Sequence, residues 1–200
     1  MNSFKIGSLL LSMLLMASSI GASKPQQLRF QVKQDSQVSI HGKSNVHAFS
    51  CCAMQAAQAS TISLRQQTQT LISIQGSVDV NLKAFDCKNK IMNRDFQKTL
   101  KADSFKQMTI TLLSFDRMPI LDGRRQTLMS SISIEVAGKR KNFKVPLTFI
   151  PKGKGNYQLQ GEQDFLFADF DLTPPRAAGG LIRVKPKVRT TFTLNLTHLA

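Results

Sequence analysis

The sequence predicts a mainly-β chain, an antiparallel barrel or sandwich with one short helix, and three observations carry that prediction. From Gln37 onward apolar and polar residues alternate, which is the period of a strand with one buried face. Polar and glycine-containing turns separate the alternating stretches at short intervals. One segment departs from this rhythm: Met92, Phe96 and Leu100 recur every four residues, which places them on one face of a short helix. About eight short strands with a single helix among them make a closed or two-layered all-β fold.

Taken in order, Val38 and Ile40 alternate with polar neighbours before Gly42, and a second short strand is expected over 45–52. The stretch 70–82 is longer, with Leu71, Ile72, Ile74, Val78, Val80 and Leu82, and Gly76 marks a bend or bulge within it. The helix follows over 92–100, then Met108, Ile110 and Leu112 resume the alternation. Ile132, Ile134 and Val136 lead into a polar turn over 137–142 and on to Val145, Leu147 and Phe149. Pro151-Lys152-Gly153-Lys154-Gly155-Asn156 is the clearest turn signal in the chain. It opens a strand from Tyr157 that continues into Phe165, Phe167 and Phe170. The last strand is expected over 182–196, with Pro186 tolerated at an edge or irregular point.

Ahead of the strands, Lys5 precedes an apolar run over 6–16, and small residues (Ala17, Ser18, Ser19, Gly21, Ala22, Ser23) follow. That order predicts a secretory signal peptide over 1–22 and one domain over 23–200 located outside the cytoplasm. The run is shorter than the roughly 20 apolar residues that a membrane-spanning helix needs. No Cys stands at its small-residue exit, so a lipid-anchored precursor is not expected.

The charge is lopsided, with 27 Lys and Arg against 12 Asp and Glu, a formal net charge of +15. Such a surface attracts phospholipid headgroups, pyrophosphates and polyanionic glycans, and transient contact with an anionic membrane surface is expected. Nucleic acid is not expected as a partner, because one Tyr and no Trp leave few side chains on which bases could stack. The same shortage removes the aromatic girdles of an outer-membrane barrel.

Three cysteines, Cys51, Cys52 and Cys87, suggest one bridge and one leftover thiol in an oxidising compartment. Neighbours on a strand point to opposite faces, so only one of Cys51 and Cys52 is expected to face Cys87. A metal site is not expected, since there is no CxxC spacing and His41, His47 and His198 are dispersed. The motifs of the common hydrolases are missing: there is no Gly-x-Ser-x-Gly, no His-Glu-x-x-His and no clustered acid pair. His47 and Asp95 are the one imaginable catalytic pair. Each has a plainer role, His47 on an alternating strand and Asp95 in the first turn of the helix, where the dipole favours a carboxylate. A hydrolase acting on a lipid-like ester is the alternative to a binding protein.

The stretch from Ser36 through His41-Gly42-Lys43-Ser44-Asn45-Val46-His47 to Cys51 resembles the first hairpin of the YceI-like family. So does the block Phe85-Asp86-Cys87-Lys88-Asn89-Lys90-Ile91-Met92-Asn93-Arg94-Asp95-Phe96, with its Cys-x4-Met-x2-Asp-Phe pattern ahead of the helix and the Met108–Leu112 stretch. The resemblance covers about 36–196. It departs at Phe105, which is followed by Lys106-Gln107 where family members often have a Pro. The resemblance implies an extended lipocalin-like antiparallel β-barrel in the periplasm that encloses a polyisoprenoid or other long-chain lipid, with neither cofactor nor catalysis. On that reading Phe49, Ile74, Ile110, Leu112, Phe149, Phe165 and Phe167 line the ligand from the strands, and Met92 and Phe96 from the helix. The Phe-x-Cys and Cys-x4-Met contexts pair Cys51 with Cys87, leaving Cys52 free.

Overall fold

The computed structural model describes residues 27–54, 60–68 and 70–199, and the expected signal peptide lies outside them. The chain folds as an antiparallel barrel. Strands β1 (Gln27–Val32) and β2 (Gln37–Lys43) follow one another with a kink between them, and β3 (Ala48–Met54) and β4 (Thr61–Gln66) return alongside. β2 pairs with β3 and β1 with β4, so these four segments are the two arms of one long hairpin. β1 was not foreseen, although Leu28, Phe30 and Val32 alternate on its buried face. β3 starts later than expected, and His47 sits in the exposed turn before it rather than on a strand.

β5 (Ile72–Gln75) and β6 (Ser77–Asn81) follow, both paired with a later strand, β8 (Gln107–Phe115). Between them Gly76 has φ +140°, and a side chain there would meet the Thr61 carbonyl oxygen at 2.6 Å. Only glycine allows β5 to stay against β4 while the chain turns away into β6. β7 (Phe85–Asp86) adds to the free edge of β3, and helix α1 (Lys90–Thr99) leads to β8. The helix begins two residues before the expected span, so Asp95 lies past its first turn and the dipole argument for that carboxylate does not hold.

β9 (Gln126–Val136) and β10 (Lys139–Gly153) are joined by the two-residue turn Ala137-Gly138. The expected turn over 137–142 is shorter than foreseen, because residues 139–142 already pair in β10. β11 (Asn156–Leu166) ends before Phe167, and Phe167 and Phe170 lie in a 3₁₀ turn instead of continuing the strand. A small hairpin of β12 (Arg176–Ala177) and β13 (Ile182–Arg183) precedes β14 (Lys187–Leu199). The expected strand over 182–196 is therefore cut at Pro186, whose ring removes the backbone donor a ladder needs.

The ring runs β1-β4-β5-β8-β9-β10-β11-β14 and closes by pairing β1 with the C-terminal half of β14, from Arg29 opposite Leu199 to Val32 opposite Leu196. The N-terminal half of β14 instead holds β2, from Arg189 opposite His41 to Thr193 opposite Gln37. At this second end the ring is not closed by hydrogen bonds. β4 pairs with β5, but among the described residues β3 pairs outward only with β7 and β6 only with β8. The seam between β3 and β6 belongs to the segment that carries β7 and α1.

Candidate functional site

Inside the open end lies an apolar cavity of about 310 Å³. The β2–β3 hairpin supplies Ile40 and Phe49. Gly42, opposite Phe49 in the ladder, makes that placement fit, because a side chain there would overlap the Phe49 ring at 2.2 Å. The barrel wall adds Met108, Ile134, Val136, Phe165 and Phe192. Phe165 is held edge-on by Phe143 at 4.7 Å and by Phe170 at 6.0 Å, so its ring is a fixed part of the lining.

The helix closes the seam with Met92, Phe96 and Leu100, the face expected from the sequence. Its N-terminus is capped by Asn89, whose side-chain oxygen accepts the N–H groups of Ile91 and Met92 at 3.0 Å each. Three further ties fix its position. The Cys51–Cys87 disulfide is present and joins β3 to the residues before α1. The Asn93 side chain accepts the Cys87 N–H at 2.6 Å and donates to Asp86 at 3.2 Å. The Phe96 ring packs on Phe85 at 5.2 Å. Asp86 is pulled down to a pKa of about 2, first by the hydrogen bond from the Lys88 ammonium, then by the Lys88 N–H and Asn93. Cys52 is a free thiol on the other face of β3, and Gln37 donates to its sulfur.

The third wall is a strap over 173–186 built around β12 and β13, which brings Pro175, Arg176, Ile182 and Val184 to the cavity. Asn45 latches it. Its side-chain nitrogen donates to the Leu181 carbonyl and its side-chain oxygen accepts the Arg183 N–H, both at 2.9 Å. Ser44 bridges to Val184, and the Lys185 N–H donates to the Lys43 carbonyl at 2.8 Å.

Of the residues expected to meet a ligand, Phe49, Met92, Phe96, Phe165 and Phe167 stand around this cavity. Ile74, Ile110, Leu112 and Phe149 do not; they are buried in the core. Phe149 lies at the sealed end, stacked on Tyr157 at 4.7 Å and edge-on to Phe30 at 5.8 Å. Alternation says which residues point inward but not how far along the axis the interior is filled, and this is why the nine divide. The strap residues were missed altogether. Their only sequence signal was the concentration of Pro and Gly over 174–186, which reads as loop.

His47 and Asp95 both reach the cavity, and Ser44 with them. The Ser44 hydroxyl is committed to its own turn: it donates to the His47 carbonyl at 3.0 Å and accepts the N–H groups of Val46 and His47 at 3.2 and 3.0 Å. These bonds lie within the turn, and none is to an imidazole that could activate the hydroxyl. Asp95 pairs with Arg94 at 3.5 Å. Among the described residues, no group of three His, Cys, Asp or Glu side chains could hold a metal ion.

A closed eight-stranded antiparallel barrel, packed at one end and hollow and apolar at the other, is a lipocalin-like architecture of the size that holds one small ligand. Solved structures share the barrel fold. A polyisoprenoid-binding domain from Saccharophagus degradans superposes with a TM-score of 0.62 at 10% identity, covering 86% of this chain and 99% of that one. BcnA from Burkholderia cenocepacia gives 0.58 at 15% identity, covering 80% and 95%. A mutant CJ YceI protein gives 0.50 at 12% identity, covering 64% and 74%. At these identities the likeness is one of fold, and what is shared is the antiparallel barrel. No family model and no curated protein sequence matches the chain.

Proposed function

We propose that the chain is an exported, non-catalytic binding protein of the YceI-like type that holds part of a polyisoprenoid or related long-chain lipid in its barrel. The observation that carries this reading is the cavity itself, enclosed by Phe49, Phe96, Phe165 and their neighbours and sealed at its inner end by packed aromatic residues. The polyisoprenoid-binding domain of the same fold supports the choice of ligand class.

The size of the cavity sharpens the proposal. An apolar cavity of about 150 Å³ accepts benzene, so one of about 310 Å³ holds roughly a dozen carbon atoms, or two to three isoprene units. The remainder of a longer chain leaves through the mouth. Burying about a dozen carbon-sized groups gains about 10 kcal/mol, against at least about 4 kcal/mol of lost motional freedom. The cavity alone therefore gives affinities no tighter than tens of micromolar, and tighter binding requires contacts outside it.

Native mass spectrometry of mature protein recovered from its own compartment, followed by organic extraction, tests the reading. A one-to-one adduct that extracts as an unmodified lipid is expected. Recovery of an empty protein that also fails to take up a fluorescent prenyl probe overturns it, and turnover of an added ester would favour the hydrolase.

A further inference from the structure

We infer that the mouth of the cavity is a docking surface for an anionic lipid bilayer. Three exposed apolar side chains stand on three different elements around the rim: Val46 in the β2–β3 turn, Ile91 in the first turn of α1 and Leu181 at the tip of the strap, with 61%, 63% and 78% of their surfaces exposed. Each adjoins or is itself a lining residue, since His47, Ile91 and Ile182 reach the cavity. The Asn45 latch holds the turn and the strap tip together. An apolar tip on a turn or strap is the shape that enters the headgroup boundary of a bilayer.

The charge around them points to the sign of the lipid. Lys43, Lys90, Arg176, Arg183 and Lys185 are exposed on the same three elements, and among the described residues none of the five pairs with a carboxylate. The sequence has no Asp or Glu over 36–50, 87–94 or 172–199. The β9–β10 hairpin, also basic, differs: Lys139, Arg140 and Lys141 are each neutralised, by Asp171, Glu135 and Asp169. Unneutralised cations gathered around apolar tips match a negatively charged surface with an apolar interior, where each basic residue adds attraction and each tip adds burial. The docked orientation sets the cavity mouth against the bilayer, so an apolar chain could pass between the two without crossing water. The surface itself does not depend on what the cavity holds.

Sedimentation of mature protein with phosphatidylcholine vesicles, and with phosphatidylcholine–phosphatidylglycerol vesicles, tests the inference. Binding to the anionic vesicles, absent for the neutral ones and weakened by salt, is expected. Replacing Lys43, Lys90, Arg176 and Lys185 by Gln should weaken it at least tenfold, whereas the same change of charge at Arg65, Arg125, Lys152 and Lys154 should leave it within about twofold. V46S/I91S/L181S should weaken it about tenfold without altering the melting temperature, and Leu181→Ser alone should show part of that loss. Equal loss from both four-residue sets means diffuse attraction by net charge and overturns the docking surface. A full effect of the charges with none from the apolar tips makes the face a general polyanion site and overturns the bilayer. Failure to bind anionic vesicles at low salt overturns both, while ligand uptake in solution reports separately on the cavity.

Discussion

At the sealed end of the barrel, Phe149 is 2% exposed and packs against Phe30 and Tyr157; at the open end, Phe165 and Phe96 both line about 310 Å³ of apolar space. Both ends are built from strands with the same alternation, and they differ in one seam. Where β4 pairs with β5 the wall is continuous, the interior is narrow, and inward side chains meet across it. Where β6 turns away at Gly76, the hydrogen-bonded wall is interrupted and a helix stands in for the missing pairing. A helix is wider than a strand and presents only every third or fourth side chain, so the interior there is not filled from all sides. An interior this size becomes a cavity through the interrupted ladder rather than through unusual residues.

Substitutions at the two ends should therefore act on different properties. The largest effect is expected for Phe149→Ala, which leaves a void in a well-packed end and should cost about 3 to 5 kcal/mol in chemical denaturation, with ligand retention per folded molecule unchanged. Loss of ligand at that position would show that the two ends are continuous. Replacing Cys51 and Cys87 together by Ser opens a loop with a sequence separation of 36. The chain-entropy account puts the cost at about 3 to 4 kcal/mol, and because the bridge ties β3 to the residues before α1, retention should fall as well. Phe96→Ala should cost less, about 1 to 2 kcal/mol, since its ring is only half buried and its main partner is Phe85. It should nevertheless change ligand retention more than Phe149→Ala does. Equal stability losses at Phe96 and Phe149 would erase the distinction between a filled end and a hollow one.

The smallest effect concerns acid. Asp86 is held at about 2 against an ordinary 3.8, so the stability it contributes is complete above pH 3.8 and is lost as pH falls through about 2. Asp164, lowered by hydrogen bonds from Arg189 and Lys187, acts in the same direction. For Asp169 burial works against ionisation, but Lys141 and the Leu166 N–H outweigh it and its carboxyl also sits low. Asp86 is about half exposed and Asp164 and Asp169 are partly buried at the surface, and solvent screening keeps each contribution small. Melting temperatures of the parent and of Asp86→Asn should converge between pH 4 and 2; a gap that widens towards low pH would contradict the assignment.

Much of the barrel was legible. Alternation marked most of its strands, the four-residue spacing of Met92, Phe96 and Leu100 marked the helix and its inward face, and the neighbour rule required that only one of Cys51 and Cys52 reach Cys87. These are local facts, fixed by the geometry of one strand or one helical turn. The division of inward residues into core and lining was not legible. Ile110 and Phe165 read alike in sequence, yet one is packed into the core and the other lines the cavity. The strap latched by Asn45 likewise depends on partners more than a hundred residues away, as in the bond from Asn45 to Arg183. Periodicity determines which way a side chain points; what it meets there is decided only when distant strands close, or fail to close, the ring.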